Sequence, residues 1–269
     1  MIQVLKFNMN RKSQVSVFVI LSVIILVLGT YIVLSYNEDQ RLTINRDVAI
    51  ITSDPRIGLV QDFVEECLKL EVKEQLYFNQ LSGGYYEIPP IFAYDAYLTV
   101  PFYVYDSEEK IPSIQEFERQ LELAVNDNID FCINNLEDYE IFFEEITVGE
   151  FDSSMLIQDG TVLASLHVPI NLLNNNSGES SSLERFQVEV ESDILRYFNL
   201  INEFISLHNG DFSRIPLSDL NILAYRNDFR FESKPQNFDV AIYNFMFEEF
   251  GRETPAEFQF AIKYDWRFD

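Results

Sequence analysis

The chain has 269 residues, 47% of them hydrophobic, and a formal net charge of -25. That apolar content allows a packed core and excludes wholesale disorder, and the charge excludes a nucleic-acid partner, which needs a basic footprint. Residues 1–47 hold five basic and three acidic side chains, leaving 14 of the 19 basic and 41 of the 44 acidic residues, a net of -27, to the remainder. Such a balance reads as a solvated acidic surface that repels phosphate and anionic headgroups.

Residues 1–13 form a basic leader containing Lys6, Arg11 and Lys12. No charged residue occurs at the 25 positions from Ser13 to Asn37, against the roughly 20 that cross a hydrocarbon core about 30 Å thick. An ordinary secretory apolar region runs only about 7–15 residues. Residues 14–36 therefore predict a transmembrane helix. The positive charges before it, with Glu38 and Asp39 after it, predict a single-pass cell-membrane protein with a cytoplasmic N-terminus and an extracellular C-terminal domain. Residues 37–53 read as a stalk.

The start of the span, Lys12-Ser13-Gln14-Val15-Ser16 followed by Val17-Phe18-Val19-Ile20-Leu21, resembles the class III signal peptide of archaeal pilin-like cell-surface proteins. The resemblance implies cleavage between Ser13 and Gln14, with the apolar helix retained as anchor or filament core. It also implies a homo-oligomer or filament formed through residues 14–36. Two positions depart from that pattern: Ser13 stands where the family has Gly, and Phe18 where it has Glu. Three further stretches, Phe63-Val64-Glu65-Glu66-Cys67-Leu68, Gly83-Gly84-Tyr85-Tyr86 and Phe131-Cys132, resemble single-anchor surface proteins of small-genome archaea. That likeness implies location and architecture, not chemistry.

Residues 54–269 read as one acidic extracytoplasmic α+β domain of long helices packed on an antiparallel sheet. Asp54-Pro55 opens a helix, Val60, Phe63, Val64, Cys67 and Leu70 or Glu71 keep its spacing and Leu76 extends it, and Gly83-Gly84 stops it. A Tyr- and Pro-rich stretch follows, with an edge strand or hairpin at 96–105. Ser113 and Glu116 form a capping box, and Phe117, Leu121, Val125, Ile129, Cys132 and Leu136 continue a helical ladder to Asn134-Asn135. Ile141 to Gly149 reads as a strand, and Met155 to Val168 as a hairpin turning at Asp159-Gly160. After a polar loop at 174–182, Phe186, Val190, Ile194, Tyr197, Phe198, Ile201 and Ile205 predict a helix over 183–208, capped by Gly210. A short helix after Pro216 and strands at 238–247 and 258–266, turning near 251–255, complete the chain.

Cys67 and Cys132 both fall on apolar helical faces. In a reducing cell they would be two small core residues. Outside it cysteines so placed pair, and the expected Cys67–Cys132 disulfide closes a loop of about 66 residues, worth roughly 4 kcal/mol by chain entropy. Asn175-Asn176-Ser177 matches a glycosylation sequon at Asn175.

No residue is singled out as catalytic, cofactor-binding or metal-ligating. His167 and His208 lack the motifs of nucleophilic or zinc sites. His208 is accounted for by a helix C-terminus, and His167 by an outward strand position. The doublets Glu65-Glu66, Glu108-Glu109, Glu144-Glu145 and Glu248-Glu249 read as solvated faces. The Tyr-rich loop reads as packing and turn, or as a contact for an extracellular protein or glycan partner. The expectation is a membrane-anchored surface protein with a structural or adhesive role. The alternatives are an anchored hydrolase using paired carboxylates and a single-pass accessory subunit of a membrane complex.

Overall fold

The computed structural model describes residues 55–95, 98–175, 178–248 and 255–266. The leader 1–13 with Ser13 and Gln14, the expected span 14–36 and the stalk 37–53 lie outside the described residues.

Helix α1, Pro55–Leu81, is 27 residues long. Its buried residues Ile57, Val60, Val64, Cys67, Leu68, Val72 and Leu76 recur at three- and four-residue steps, which places them on one stripe. Full burial of each Val or Leu in that stripe contributes about 1.5–3 kcal/mol. The helix ends where Gly83 and Gly84 take φ of +58° and +83°. The amide of Gly84 returns to Asn79 O at 2.6 Å, satisfying one of the terminal carbonyls.

Strands β1 (Phe92–Asp95) and β2 (Leu98–Tyr105) form a hairpin, and the two-residue β3 (Glu108–Glu109) pairs with β2. Helix α2, Ile114–Asn128, opens on Ser113, whose hydroxyl accepts the amide of Glu116. A short helix α3, Asp130–Ile133, and a 3-10 turn at Asn134–Tyr139 follow. Next come β4 (Phe143–Val148), β5 (Asp152–Gln158), β6 (Thr161–Asn174) and β7 (Ser180–Glu191). Helices α4 (Ile194–Ser206) and α5 (Leu217–Asn227) precede β8 (Phe229–Pro235), β9 (Val240–Phe247) and β10 (Ala256–Lys263).

These strands build two sheets. The first is six-stranded, in the order β1-β2-β10-β9-β8 with β3 beside β2, and its β2–β10 pair is parallel. The second is four-stranded around β6: β7 runs along one edge, and β5 and then β4 share the other. Gly149 sits at the β4–β5 junction, where its amide reaches Pro169 O at 2.8 Å and a Cβ would meet the Pro169 ring at 2.5 Å. One hydrophobic core runs from the inner face of the first sheet to β4–β7. Helix α1 packs against β6, β7, β10 and α2 and so bridges the two sheets. On the outer face of the first sheet, Ala93, Val100, Phe102, Ile242 and Ala261 form a smaller cluster. Asp95 of β1 pairs there with Lys234 of β8 at 2.9 Å.

Several expectations are corrected. Among the described residues no helix is long and apolar enough to cross a membrane. The longest, α1, carries Asp62, Glu65, Glu66, Lys69, Glu71, Lys73 and Glu74. The expected N-terminal transmembrane helix, and with it the single-pass location at the cell membrane with an extracellular domain, therefore finds no support. Apart from α1 the helices are short, and they pack on two sheets rather than on one antiparallel sheet. The helix expected over 183–208 is β7 followed by α4. Phe186 and Val190 are four residues apart, and a spacing of four fits a strand of period two as well as a helix. The helix expected to run to Asn134-Asn135 breaks at Ile129, after Asn126-Asp127-Asn128. There the Asn128 side chain bonds the Ala124 carbonyl, the local competition that makes Asn a poor helix interior residue.

Candidate functional site

Among the described residues, an open cleft of about 370 Å³ lies between α1 and β7. It is lined by Asp62, Glu65, Glu66 and Lys69 of α1 and by Gln187, Val188 and Glu189 of β7. Four carboxylates thus surround one ammonium group. Their positions follow from the fold: the apolar stripe of α1 turns inward, so the positions beside it rise over the solvent face of β7. Among the described residues no group of three or more His, Cys, Asp or Glu is placed to hold a metal ion.

The wall of this cleft is fixed covalently. Cys67 of α1 and Cys132 of α3 form a disulfide with a Cα–Cα distance of 5.8 Å. Cys67 is buried and lies between Glu66 and Lys69 in sequence. Nearby, the rings of Phe63 and Tyr139 meet at 5.3 Å, and Arg56 reaches the carbonyl of Phe142 at 3.2 Å. The bond therefore ties the acidic helix to the segment between α2 and β4.

A second carboxylate array lies on α2. Glu118, Glu122 and Asn126 are four residues apart, and their oxygens accept the amides of Ile157, Met155 and Ser153 at 2.8, 2.9 and 2.9 Å. Successive helical turns of that stripe rise by about 6 Å, and alternate strand amides are spaced by about 6.7 Å. The match lets one helix face take the place of a neighbouring strand along the free edge of β5. Burial raises the Glu118 carboxyl above its ordinary range, against the lowering effect of the Ile157 amide, with Glu122 adding to the rise. Burial also raises Glu71, which accepts from Gln75 at 2.7 Å. These two perturbed carboxyls stand on different helices, and each is engaged in a local hydrogen bond.

The Tyr-rich loop is tied to α2 and to the first sheet. Gln120 Oε1 accepts the amides of Tyr86 and Glu87 at 3.0 and 2.7 Å. The buried Tyr103 hydroxyl donates to Gly83 O at 2.9 Å. Tyr86, partly exposed, donates to Asp127 at 3.0 Å. Much of this loop is therefore packing and turn, with Tyr94 as an outward aromatic at 62% exposure.

Other singled-out residues are dispersed. Asn175 is exposed in the turn after β6. His167 is exposed on β6, its Nδ1 3.0 Å from Glu184 O. Glu108, Glu109, Glu144 and Glu145 are exposed on β3 and β4, and Glu248 is exposed just after β9. His208 stands at the helix C-terminus as expected, its Nδ1 3.3 and 3.1 Å from the Phe204 and Ile205 carbonyls, but it is only 3% exposed and packed among aromatic rings. Two features are not apparent from the sequence read alone. The α2 array has a signal, a polar stripe one residue out of step with Phe117, Leu121 and Val125. The surroundings of His208 also have one, since Tyr243 in β9 and Tyr264 just after β10 fall on inward positions of their alternation and a buried tyrosine hydroxyl requires a partner.

Compared with protein families, curated proteins and solved structures, the chain matches none.

Proposed function

We propose that residues 55–266 form a non-catalytic interaction domain with a structural or adhesive role, presenting the acidic face of α1 to a protein partner. The observation that carries this reading is the Cys67–Cys132 bond, which anchors α1 in the same helical turn that presents Glu65, Glu66 and Lys69. It holds the cleft wall in one geometry, which lowers the ordering cost of association. Glu65 lies partly buried at the cleft and Glu66 is exposed, so a partner of positive charge is favoured by complementarity and steered by the net charge of -25.

The test is binding of the full chain to immobilised poly-L-lysine over a salt series. Binding that weakens steeply with salt, and by roughly tenfold in Glu65→Lys/Glu66→Lys, is the expected result. Equal binding by that variant would remove α1 as the contact face. Glycoside turnover by the full chain that disappears in Glu65→Gln or Glu66→Gln would replace the interaction role with hydrolysis.

A further inference from the structure

The strands flanking β6 present two kinds of edge. In an antiparallel pair, residues that bond the partner alternate with residues whose amides and carbonyls face away from it. On β5 the outward amides are those of Ser153, Met155 and Ile157, and α2 takes all three. On β7 the phase is set by two bonds towards β6. The Ser192 amide donates to Gly160 O at 3.1 Å, and Val190 O accepts the Thr161 hydroxyl at 3.2 Å. Phe186, Val188 and Val190, opposite Leu166, Ala164 and Val162, therefore bond β6. The amides and carbonyls of Arg185, Gln187 and Glu189 face away. Among the described residues β7 pairs with β6 alone, so this edge is an unfilled row of donors and acceptors.

The side chains leave that row open. Gln187 Nε2 donates to Ser165 Oγ at 3.2 Å, and Glu189 Oε1 accepts from Thr161 Oγ1 at 3.2 Å, so both lie back across β6. The cleft between β7 and α1 runs along the same edge, which makes α1 its other wall. There Asp62, Glu65 and Glu66 accompany one ammonium group, Lys69. Asp62 and Glu66 are one helical turn apart, about 6 Å of rise. Like-facing residues of a strand are about 6.7 Å apart. A strand laid along β7 would thus carry alternate side chains past successive carboxylates of α1.

We propose that the β7 edge and the acidic flank of α1 together form a strand-addition groove, which takes an extended peptide with lysine or arginine at alternate positions. The peptide main chain pairs with Arg185, Gln187 and Glu189, and its basic side chains meet Asp62, Glu65 and Glu66. This rests on the reading of α1 as a contact face and specifies the shape of what it contacts. A second copy is disfavoured as occupant, because pairing β7 with itself sets two acidic grooves side by side on chains of net charge -25.

Amide hydrogen exchange of the full chain, read residue by residue by NMR, tests the groove. The probe is a peptide of about eight residues alternating lysine and threonine. In the free chain the amides of Arg185, Gln187 and Glu189 should exchange fast and those of Phe186, Val188 and Val190 slowly. The peptide should slow the first set by roughly tenfold or more. If those three amides stay fast while poly-L-lysine binding still depends on Glu65 and Glu66, the groove is overturned and the acidic contact face stands. Slow exchange at the same amides in a peptide-free dimer would give the edge to a second copy and overturn the peptide as occupant. Gln187→Pro removes an amide hydrogen that the fold does not use, at an edge position that admits proline. It should weaken peptide binding by roughly tenfold, and unchanged affinity overturns the main-chain pairing. If that variant does not fold, N-methylated peptides decide on the unsubstituted chain. Methylation at one alternate set of peptide amides should abolish binding and at the other leave it intact, and equal binding of the two overturns the proposal.

Discussion

Replacing both Cys67 and Cys132 by alanine tests how far one covalent bond sustains this fold. The two residues are 65 positions apart. Chain entropy for a loop of that size gives about 14 cal/mol/K, or about 4 kcal/mol at 25 °C. The closed segment holds the second half of α1, the β1–β3 strands and all of α2, so freeing it enlarges the unfolded ensemble of a large part of the domain. Folded-state strain is small, since Cys67 sits in the regular stripe of α1 and its removal opens little volume. With a urea dependence of about 2 kcal/mol per molar, the midpoint of unfolding should fall by about 2 M. Reduction of the unsubstituted chain by dithiothreitol should bring it to the same midpoint. The assay is urea unfolding followed by circular dichroism, with the oxidised state verified by mass spectrometry. A midpoint shift below about 0.3 M, with the bond intact in the unsubstituted chain, would refute the chain-entropy account and place the stabilisation wholly in packing.

Further outcomes follow from particular contacts. Burial lowers the proton affinity of His208 below its ordinary value of 6.5, so the unfolded state binds the extra proton first. Stability should be level above about pH 6.5 and fall by up to about 1.4 kcal/mol per pH unit below it; chemical unfolding at several pH values should show this slope reduced in His208→Gln. Glu118→Ala should cost about 1–2 kcal/mol by leaving the amide of Ile157 without its carboxylate, and Glu118→Ala/Glu122→Ala should add self-association along the bared edge of β5, read by light scattering. Glu118→Gln keeps an acceptor oxygen. Because burial raises the carboxyl above 4.5, ionisation disfavours the fold as pH rises past that value, so this variant should be neutral to slightly stabilising at pH 7. Gly84→Ala places a Cβ 2.5 Å from the Phe117 ring at a φ of +83° and should lower stability by more than about 2 kcal/mol in the same unfolding assay.

Local signals with a single physical reading survived into the structure. The Ser113 cap (its hydroxyl on the Glu116 amide, while the Glu116 carboxylate turns to Arg119 and Gln120), the Asp159-Gly160 hairpin, the Gly83-Gly84 stop and the antiparallel pairing of 238–247 with the alternating tail each depend on neighbours in sequence. The Phe186–Val190–Ile194 spacing did not resolve, because four residues make two strand repeats as well as one helical turn. Its assignment to β7 came from pairing with β6, a partner supplied by tertiary structure. The parallel contact between β2 and β10 joins segments about 160 residues apart, beyond the reach of any periodicity. The site residues divide in the same way. Cys67 and Cys132 were legible because each lies on an apolar stripe. His208 reads from sequence as an end-of-helix cation, since nothing local indicates that Tyr264 and Phe212 close over it.

The position of the disulfide also decides how the domain would carry a load. When the chain is pulled from its two ends, force passes directly from Cys67 to Cys132 through sulfur, and the 65 residues of loop spanned by the bond are spared extension. At about 3.5 Å per extended residue this shortens the fully stretched chain by about 230 Å. Helix α2 lies inside the shielded loop and β5 lies outside it, so the carboxylate ladder joins a segment that carries tension to one that does not.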